Sequence, residues 1–251
     1  MSQSFVMTSP EPLRVRSGGV DLAAWRWRGR GTPIVLVHGY PDTHDVWARV
    51  VEHLPGRDVI AYDVRTSGDF SLAQLADDLF AVIDAIGGPV HVVGHDWGGI
   101  QAWEAVTDPR ATGRIERFTA ISGPCLDHVG FALREQPARR IAAQLARSWY
   151  IWLFHVPGAP LAVRAFGRRY ARQISLYRTN IFPRLARPRI RTTQLPVQLL
   201  VATKDRFVGA HLADGVERWA PNLTRIDVPG GHWLPRTHAP AVAGAITRFG
   251  G

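Results

Sequence analysis

The chain has 251 residues, 46% of them hydrophobic and 20% charged. That is enough for one α/β core with an insertion, and too apolar for a disordered chain. The net charge of +9 is carried almost wholly by scattered arginines, Lys204 being the only lysine, so the balance reads as a compositional bias and argues against a nucleic-acid partner. No apolar run is long enough to cross a bilayer, Met1–Pro10 shows no signal-peptide pattern, and the single Cys125 excludes an internal disulfide and fits a reducing, cytoplasmic setting.

Met1–Glu11 reads as a loose leader. Leu13–Arg16 and Val20–Trp27 alternate as two antiparallel strands around a Ser17-Gly18-Gly19 turn. Ile34–Val37 is a continuous apolar run, as in a strand buried on both faces, and it ends in His38-Gly39-Tyr40-Pro41. Asp42 or Thr43 can cap a helix to about His53. Val59–Tyr62 is the next buried strand, closing on Asp63-Val64-Arg65. Ser71 caps a helix whose apolar positions Leu72, Leu75, Leu79, Val82, Ile83 and Ile86 follow a 3.6-residue period, and Gly87-Gly88-Pro89 stops it. A strand at Val90–Val93 leads into a helix over Ile100–Val106, and Arg117–Ile121 is a further strand.

The alternation then stops. From Leu126 to about Gln194 the chain is helical, aromatic and Arg-rich, broken at Pro157, Pro160, Pro183 and Pro188. It resumes with a strand at Val197–Val201, a helix over His211–Trp219, a strand at Leu223–Val228 and a helix over Ala239–Phe249. This pattern predicts an α/β fold, a mostly parallel central sheet flanked by helices, with its ligand site at the carboxyl ends of the strands. The organisation follows: 1–125 and 195–251 as the two parts of one core, and 126–194 as a helical cap inserted above the strand ends.

The chemistry centres on Gly94-His95-Asp96-Trp97-Gly98. This is G-x-Nuc-x-G spacing, with Asp96 at the turn from strand to helix. Glycines two before and two after allow the tight backbone crossing, and the following helix N-terminus favours an anion. Two more strand ends carry the expected partners: Asp205 after Val197–Val201, and His232 after Leu223–Val228. Their order of nucleophile, acid and base suits a nucleophile elbow. Asp127 is a second candidate for the acid. His38 is assigned mainly to its own turn, and His95 is a neighbour of the elbow.

On these motifs, H-G-Y-P at 38–41 and G-H-D-W-G-G at 94–99, the chain from about Val20 to Phe249 resembles the α/β-hydrolases with an Asp nucleophile, that is, epoxide hydrolases and haloalkane dehalogenases. The resemblance implies attack by Asp96 on an sp3 carbon, an alkyl-enzyme ester, and its hydrolysis by water activated by His232 and Asp205. The N–H groups of Trp97 and Tyr40 would form the oxyanion hole. Tyr150 in Y-I-W-L-F-H and Tyr177 in Y-R-T-N resemble the two cap tyrosines of epoxide hydrolases, which hydrogen-bond the epoxide oxygen. His38, Pro41, Trp149, Trp152, Phe154, Phe182 and Trp233 complete the expected pocket. No cofactor and no metal are implied.

The resemblance favours an epoxide hydrolase. The alternatives are a dehalogenase with the same nucleophile, or a member that only binds or cyclises a ligand. Two departures concern the pocket rim: the short Asp63–Asp69 loop, where the family usually has a longer glycine-rich one, and His155, where Gln is commoner. Partner expectations are a hydrophobic small-molecule substrate, no nucleic acid and no membrane. A homodimer is one option for assembly. Similarity to hydrolase modules attached to short-chain dehydrogenases adds a dehydrogenase module as another.

Overall fold

The computed structural model describes residues 9–250. Among these, eight strands form one sheet. They are β1 (Glu11–Ser17), β2 (Val20–Trp27), β3 (Arg30–Val37), β4 (Arg57–Tyr62), β5 (Val90–His95), β6 (Ile115–Ile121), β7 (Val197–Ala202) and β8 (Leu223–Val228). Their order across the sheet is β1-β2-β4-β3-β5-β6-β7-β8. Only β2 runs against its neighbours, β1 and β4; the pairs from β4–β3 to β7–β8 are parallel. The fold is therefore the mostly parallel α/β sheet expected from the alternation.

Alternate residues of each central strand feed two apolar layers. Val35 and Val37 of β3 pack with Leu75, Leu79 and Val82 of α2 (Leu72–Ile86) and Trp103 of α3 (Trp97–Val106). Ile34 and Leu36 pack on the other face, with Val50 of a short helix, α1 (Ala48–Glu52), and with Val242 and Ile246 near the C-terminus. Ser71 caps α2 by accepting from the Gln74 N–H at 3.3 Å, and Gly87 ends it at φ 78°. Between β6 and β7 stand six helices: α4 (Leu126–Glu135), α5 (Ala138–Arg147), α6 (Trp149–His155), α7 (Ala159–Val163), α8 (Arg168–Gln173) and α9 (Ser175–Ala186). We refer to them as the cap. Two helices follow β8, α10 (Leu234–Thr237) and α11 (Ala239–Phe249).

The structure corrects several expected boundaries. Glu11 already pairs in β1, opposite Arg26, so the leader does not reach it. Met1–Thr8 lie outside the described residues. The helix expected to reach His53 from Thr43 begins as a 3-10 turn, His44–Trp47. The helix expected over His211–Trp219 is two 3-10 turns, Ala210–Ala213 and Val216–Arg218. The cause is local: Asp214 is extended, its carboxylate bonded to Arg140 and Arg225, and Gly215 follows at φ 78°.

The short loop after β4 is held in the core. Arg65 donates to both carboxylate oxygens of Asp78 on α2, at 2.7 and 2.6 Å, and to the Ser17 carbonyl at 3.3 Å. Both side chains of this bidentate pair are 1% exposed. Asp63 accepts from the His44 N–H at 2.9 Å, and the Val64 N–H donates to His38 Nε2 at 3.0 Å. Removing one partner of a buried ion pair leaves the other charge unsatisfied. Asp78→Ala is expected to lower stability by about 3–5 kcal/mol, read from urea denaturation. A loss below about 1 kcal/mol would show that the pair does not fasten this loop.

Candidate active site

β5 ends at His95 and α3 begins at Trp97, so Asp96 alone makes the reversal. It does so at φ 52° and ψ −122°, a conformation costly for a residue with a Cβ. The packing around it explains the glycines. A Cβ on Gly98 would overlap the Val37 carbonyl, and one on Gly39 would overlap the Asp96 carboxylate and lie 2.7 Å from the Trp97 nitrogen. The ends of β3 and β5 are thus pressed together over the first turn of α3. In that crevice Asp96 Oδ2 accepts the Tyr40 N–H at 2.9 Å.

His232 and Asp205 complete a buried triad. His232 follows β8, and its Nε2 lies 3.6 Å from Asp96 Oδ1. Its Nδ1 donates to Asp205 Oδ2 at 2.8 Å. The other oxygen of Asp205 accepts the N–H groups of Phe207 at 2.7 Å and Val208 at 3.0 Å. Burial opposes the charge on Asp205, but the His232 bond and these amides outweigh it and hold the carboxyl below its ordinary value. Burial likewise opposes the His232 imidazolium. The bonds to Asp205 and Asp96 and the two carboxylate charges prevail, raising its pKa from 6.5 to about 10.

Two phenols lie over the nucleophile. The rings of Tyr150 on α6 and Tyr177 on α9 are 5.9 Å apart and nearly perpendicular. Tyr177 also meets the Trp97 ring edge-on at 4.9 Å. Burial, reinforced by the Asp96 charge, lifts both phenols above the ordinary tyrosine range, so they remain hydrogen-bond donors. Asp96, Tyr150, Tyr177 and Phe207 line two cavities. One, of about 530 Å³, extends to Tyr40, Pro41, Phe154 and Trp233. The other, of about 800 Å³, runs between cap and core to Leu145, Trp152 and Phe182.

Tyr177-Arg178-Thr179-Asn180 is explained residue by residue. Arg178 caps the end of α6 by donating to the Phe154 and Val156 carbonyls at 2.7 and 2.6 Å. Asn180 accepts the Leu72 N–H at 2.9 Å and donates to the Phe70 carbonyl at 2.8 Å, tying α9 to the start of α2. One turn further, Arg184 donates to Glu104 on α3 at 2.8 Å and to Asp127 at 3.1 Å. With Tyr177 against Trp97, Asn180 on the start of α2 and Arg184 on Glu104, one face of α9 is fixed to the core at three successive points.

The structure brings together Asp96, His232, Asp205, Tyr150, Tyr177, Tyr40 and Trp97, with Pro41, Trp152, Phe154, Phe182 and Trp233 along the two cavities. Two expected pocket residues lie elsewhere. Trp149 is 62% exposed and lines neither cavity, because it sits on the outer side of α6. His38 is completely buried beneath the floor, donating from Nδ1 to the Gly39 carbonyl and accepting the Val64 N–H. Asp127 is unavailable as a relay acid, since Arg184 and the Arg189 N–H occupy its carboxylate.

Sequence reasoning gave no role to Phe207 or Asn180, while His95 was read only as a neighbour of the elbow. The ring of Phe207 lies 5.2 Å from that of His232. His95 donates from Nε2 to the His232 carbonyl at 2.9 Å; burial lowers its pKa and keeps it neutral. Only Asn180 left a sequence signal, its spacing of three from Tyr177.

Residues 34–245 match the model of the Alpha/beta hydrolase family. The chain belongs to that family. Among curated relatives it is 33% identical over 269 residues to the "Probable oxidoreductase EphD" of Mycobacterium tuberculosis, covering 87% of this chain and 45% of that protein. The chain thus spans less than half the length of that relative. An "Epoxide hydrolase" of Caballeronia sordidicola is 34% identical over 121 residues, 43% of this chain and 35% of that one.

Similar solved structures include an epoxide hydrolase from metagenomes of hot environments, with a TM-score of 0.83 at 22% identity, covering 96% of this chain and 99% of that one. A Bacillus megaterium epoxide hydrolase complexed with its product gives 0.80 at 19%, covering 94% and 99%. These structural likenesses establish the fold.

The raised His232 pKa has a signed consequence. Its folded value of about 10 lies above the free value of 6.5, so its pairing stabilises the fold fully below pH 6.5 and is lost as pH rises through 10. Across that interval the thermal midpoint of the wild type is expected to fall further than that of His232→Gln. Parallel curves would show that His232 is not paired as described.

Proposed function

We propose that this chain hydrolyses an epoxide to a vicinal diol through an ester on Asp96. One observation carries the reading: a carboxylate at the elbow has one oxygen held by a backbone N–H and the other 3.6 Å from an imidazole nitrogen, in a cavity lined by two phenols. Asp96 is an anion and needs no base in order to attack. Oδ1 would form the new bond to an epoxide carbon as that carbon's bond to the ring oxygen breaks. Tyr150 and Tyr177 would donate to the departing oxygen and protonate it. Two O–H donors suit an alkoxide, whose basicity demands a proton. The names of relatives such as the Caballeronia sordidicola epoxide hydrolase support the same substrate class.

The second step reverses the local electrostatics. The Asp96 charge is among the causes that raise the pKa of His232 and of both tyrosines. Esterification removes that charge, so all three groups become easier to deprotonate. One phenol can then give its proton to the alkoxide, the His232 imidazolium returns a proton to that phenolate, and the neutral His232, held by Asp205, can take one from water. The water oxygen attacks the ester carbonyl carbon. Oδ2 becomes the oxyanion, with the Tyr40 N–H already bonded to it and the Trp97 N–H as the second donor. The intermediate collapses with cleavage of the bond from that carbon to Oδ1, the departing diol oxygen takes the proton from His232, and the regenerated Asp96 carboxyl returns its own proton to that ring. The match to a longer probable oxidoreductase supports, as part of this proposal, association with an oxidoreductase module.

Release of diol from styrene oxide, without halide release from a haloalkane, is the expected activity. The opposite result would assign a dehalogenase. His232→Asn should stop turnover after the first step and leave an adduct on Asp96 visible by mass spectrometry. Unmodified protein, under conditions where the wild type turns over, would overturn the ester. Tyr150→Phe and Tyr177→Phe should each slow single-turnover ring opening by about 10²–10⁴-fold, the usual range for a lost general acid. An unchanged rate in the double variant would remove both from the reaction.

A further inference from the structure

The outer surface of the cap is unlike the rest of the molecule. Trp149, Trp152 and Leu153 share one side of α6, Val156 follows at its C-cap, and all are exposed, with Leu161 on α7 at 73% exposure. Exposed apolar side chains occur singly on most proteins, whereas a contiguous stripe marks a contact surface. Its surroundings carry one sign of charge. From residue 136 to residue 204 the chain has twelve arginines, Lys204, and no Asp or Glu. Arg140, Arg169, Arg184 and Arg191 pair with carboxylates from outside this segment. Arg139, Arg147, Arg164, Arg168 and Arg172 are exposed, and no carboxylate lies within ion-pair distance of them among the described residues.

The stripe is continuous with the route to the nucleophile. Leu145 and Trp152 are exposed and also line the 800 Å³ cavity that reaches Asp96. The mouth of that cavity thus opens through an apolar surface on a segment whose free charges are all positive.

We propose that this face of α6 and α7 seats the protein on the surface of an anionic lipid bilayer, and that the cavity draws its substrate from that layer. Exposed tryptophans insert at the level of lipid headgroups, and arginines attract an anionic surface. The sequence excluded a membrane partner because no segment spans one, and among the described residues no helix is long and apolar enough to cross. A peripheral seat requires no such helix; it requires a one-sided surface, which only the folded cap displays. The inference rests on the hydrolase reading for its substrate, a hydrophobic epoxide that partitions into lipid. The binding surface itself is independent of turnover.

Co-sedimentation with vesicles tests it. The wild-type protein should bind vesicles of phosphatidylcholine mixed with phosphatidylglycerol and should bind phosphatidylcholine alone more weakly. Binding should weaken as salt rises, with a blue shift of tryptophan emission on the anionic vesicles. Arg164→Glu/Arg168→Glu should bind about thirtyfold more weakly, as expected for two interfacial arginines. Trp149→Ser/Leu153→Ser should lose the blue shift. Both variants should keep the wild-type thermal midpoint and the wild-type rate on soluble styrene oxide.

Absent or salt-independent binding by the wild type overturns the proposal, whether or not the variants fold. Tighter binding to a single-stranded oligonucleotide at the same salt also overturns it. So does self-association that Trp149→Ser/Leu153→Ser abolishes, because the face would then belong to a second copy. Failure of the hydrolase reading would appear separately, as no diol from the soluble epoxide.

Discussion

The structure depends on one negative charge held in a strained turn. Asp96 takes a positive φ because three stretches of backbone converge there: the end of β3, the end of β5 and the first turn of α3. The sheet supplies the rigidity that such a conformation needs, since β3, β5 and β6 are buried on both faces and hydrogen-bonded in register. The charge then acts on the titratable groups around it. Burial is the larger cause that keeps Tyr150 and Tyr177 protonated, and Asp96 reinforces it; Asp96 also joins Asp205 in charging His232. A single carboxylate therefore biases three proton-transfer groups in the direction that chemistry at Asp96 would reverse.

The polar groups beneath this arrangement hold it without taking part in it. His95 is neutral and bonds the His232 carbonyl, fixing the base through its backbone. His38 joins the Gly39 turn to the loop after β4. Asp42 receives the Trp233 indole N–H at 3.0 Å and is also paired with Arg236, which ties the loop after β3 to the loop after β8. Each bond links two strand ends, so the site is held by the same crossings that hold the sheet edge.

The core was legible in the sequence because its signals are local. Ile34–Val37 is buried on both faces and shows an unbroken apolar run, and Val197–Val201 is buried likewise and apolar except at Gln198. The Gly94–Gly98 spacing is a steric necessity written in adjacent residues. The triad was legible because each member follows a strand. What the sequence did not show depends on tertiary direction. Trp149 and Trp152 are three residues apart in one aromatic helix, yet one faces solvent only and the other also lines a cavity. Asp127 lay at a plausible strand end, but its arginine partners come from positions about sixty residues away. The helix read over His211–Trp219 failed at Asp214-Gly215, where long-range ion pairs joined a left-handed glycine.

The fixed seating of α9 determines how the site can open. Tyr177 and Arg184 are two turns apart on α9, and their partners Trp97 and Glu104 are two turns apart on α3 in the same direction. The two helices are pinned at both ends of a span of about 10 Å, with Asn180 bonded to the core between them. A hinged swing of the entire cap would break buried charges and a buried amide together. The contacts of α9 therefore hold it, and with it Tyr177, against α3 as one piece. The anchoring extends beyond α9: Arg178 ties α6 to α9, Gln144 of α5 donates to the Phe207 carbonyl at 3.0 Å, and Arg169 of α8 pairs with Asp63, so both phenols are carried on helices fastened to the frame that carries the nucleophile.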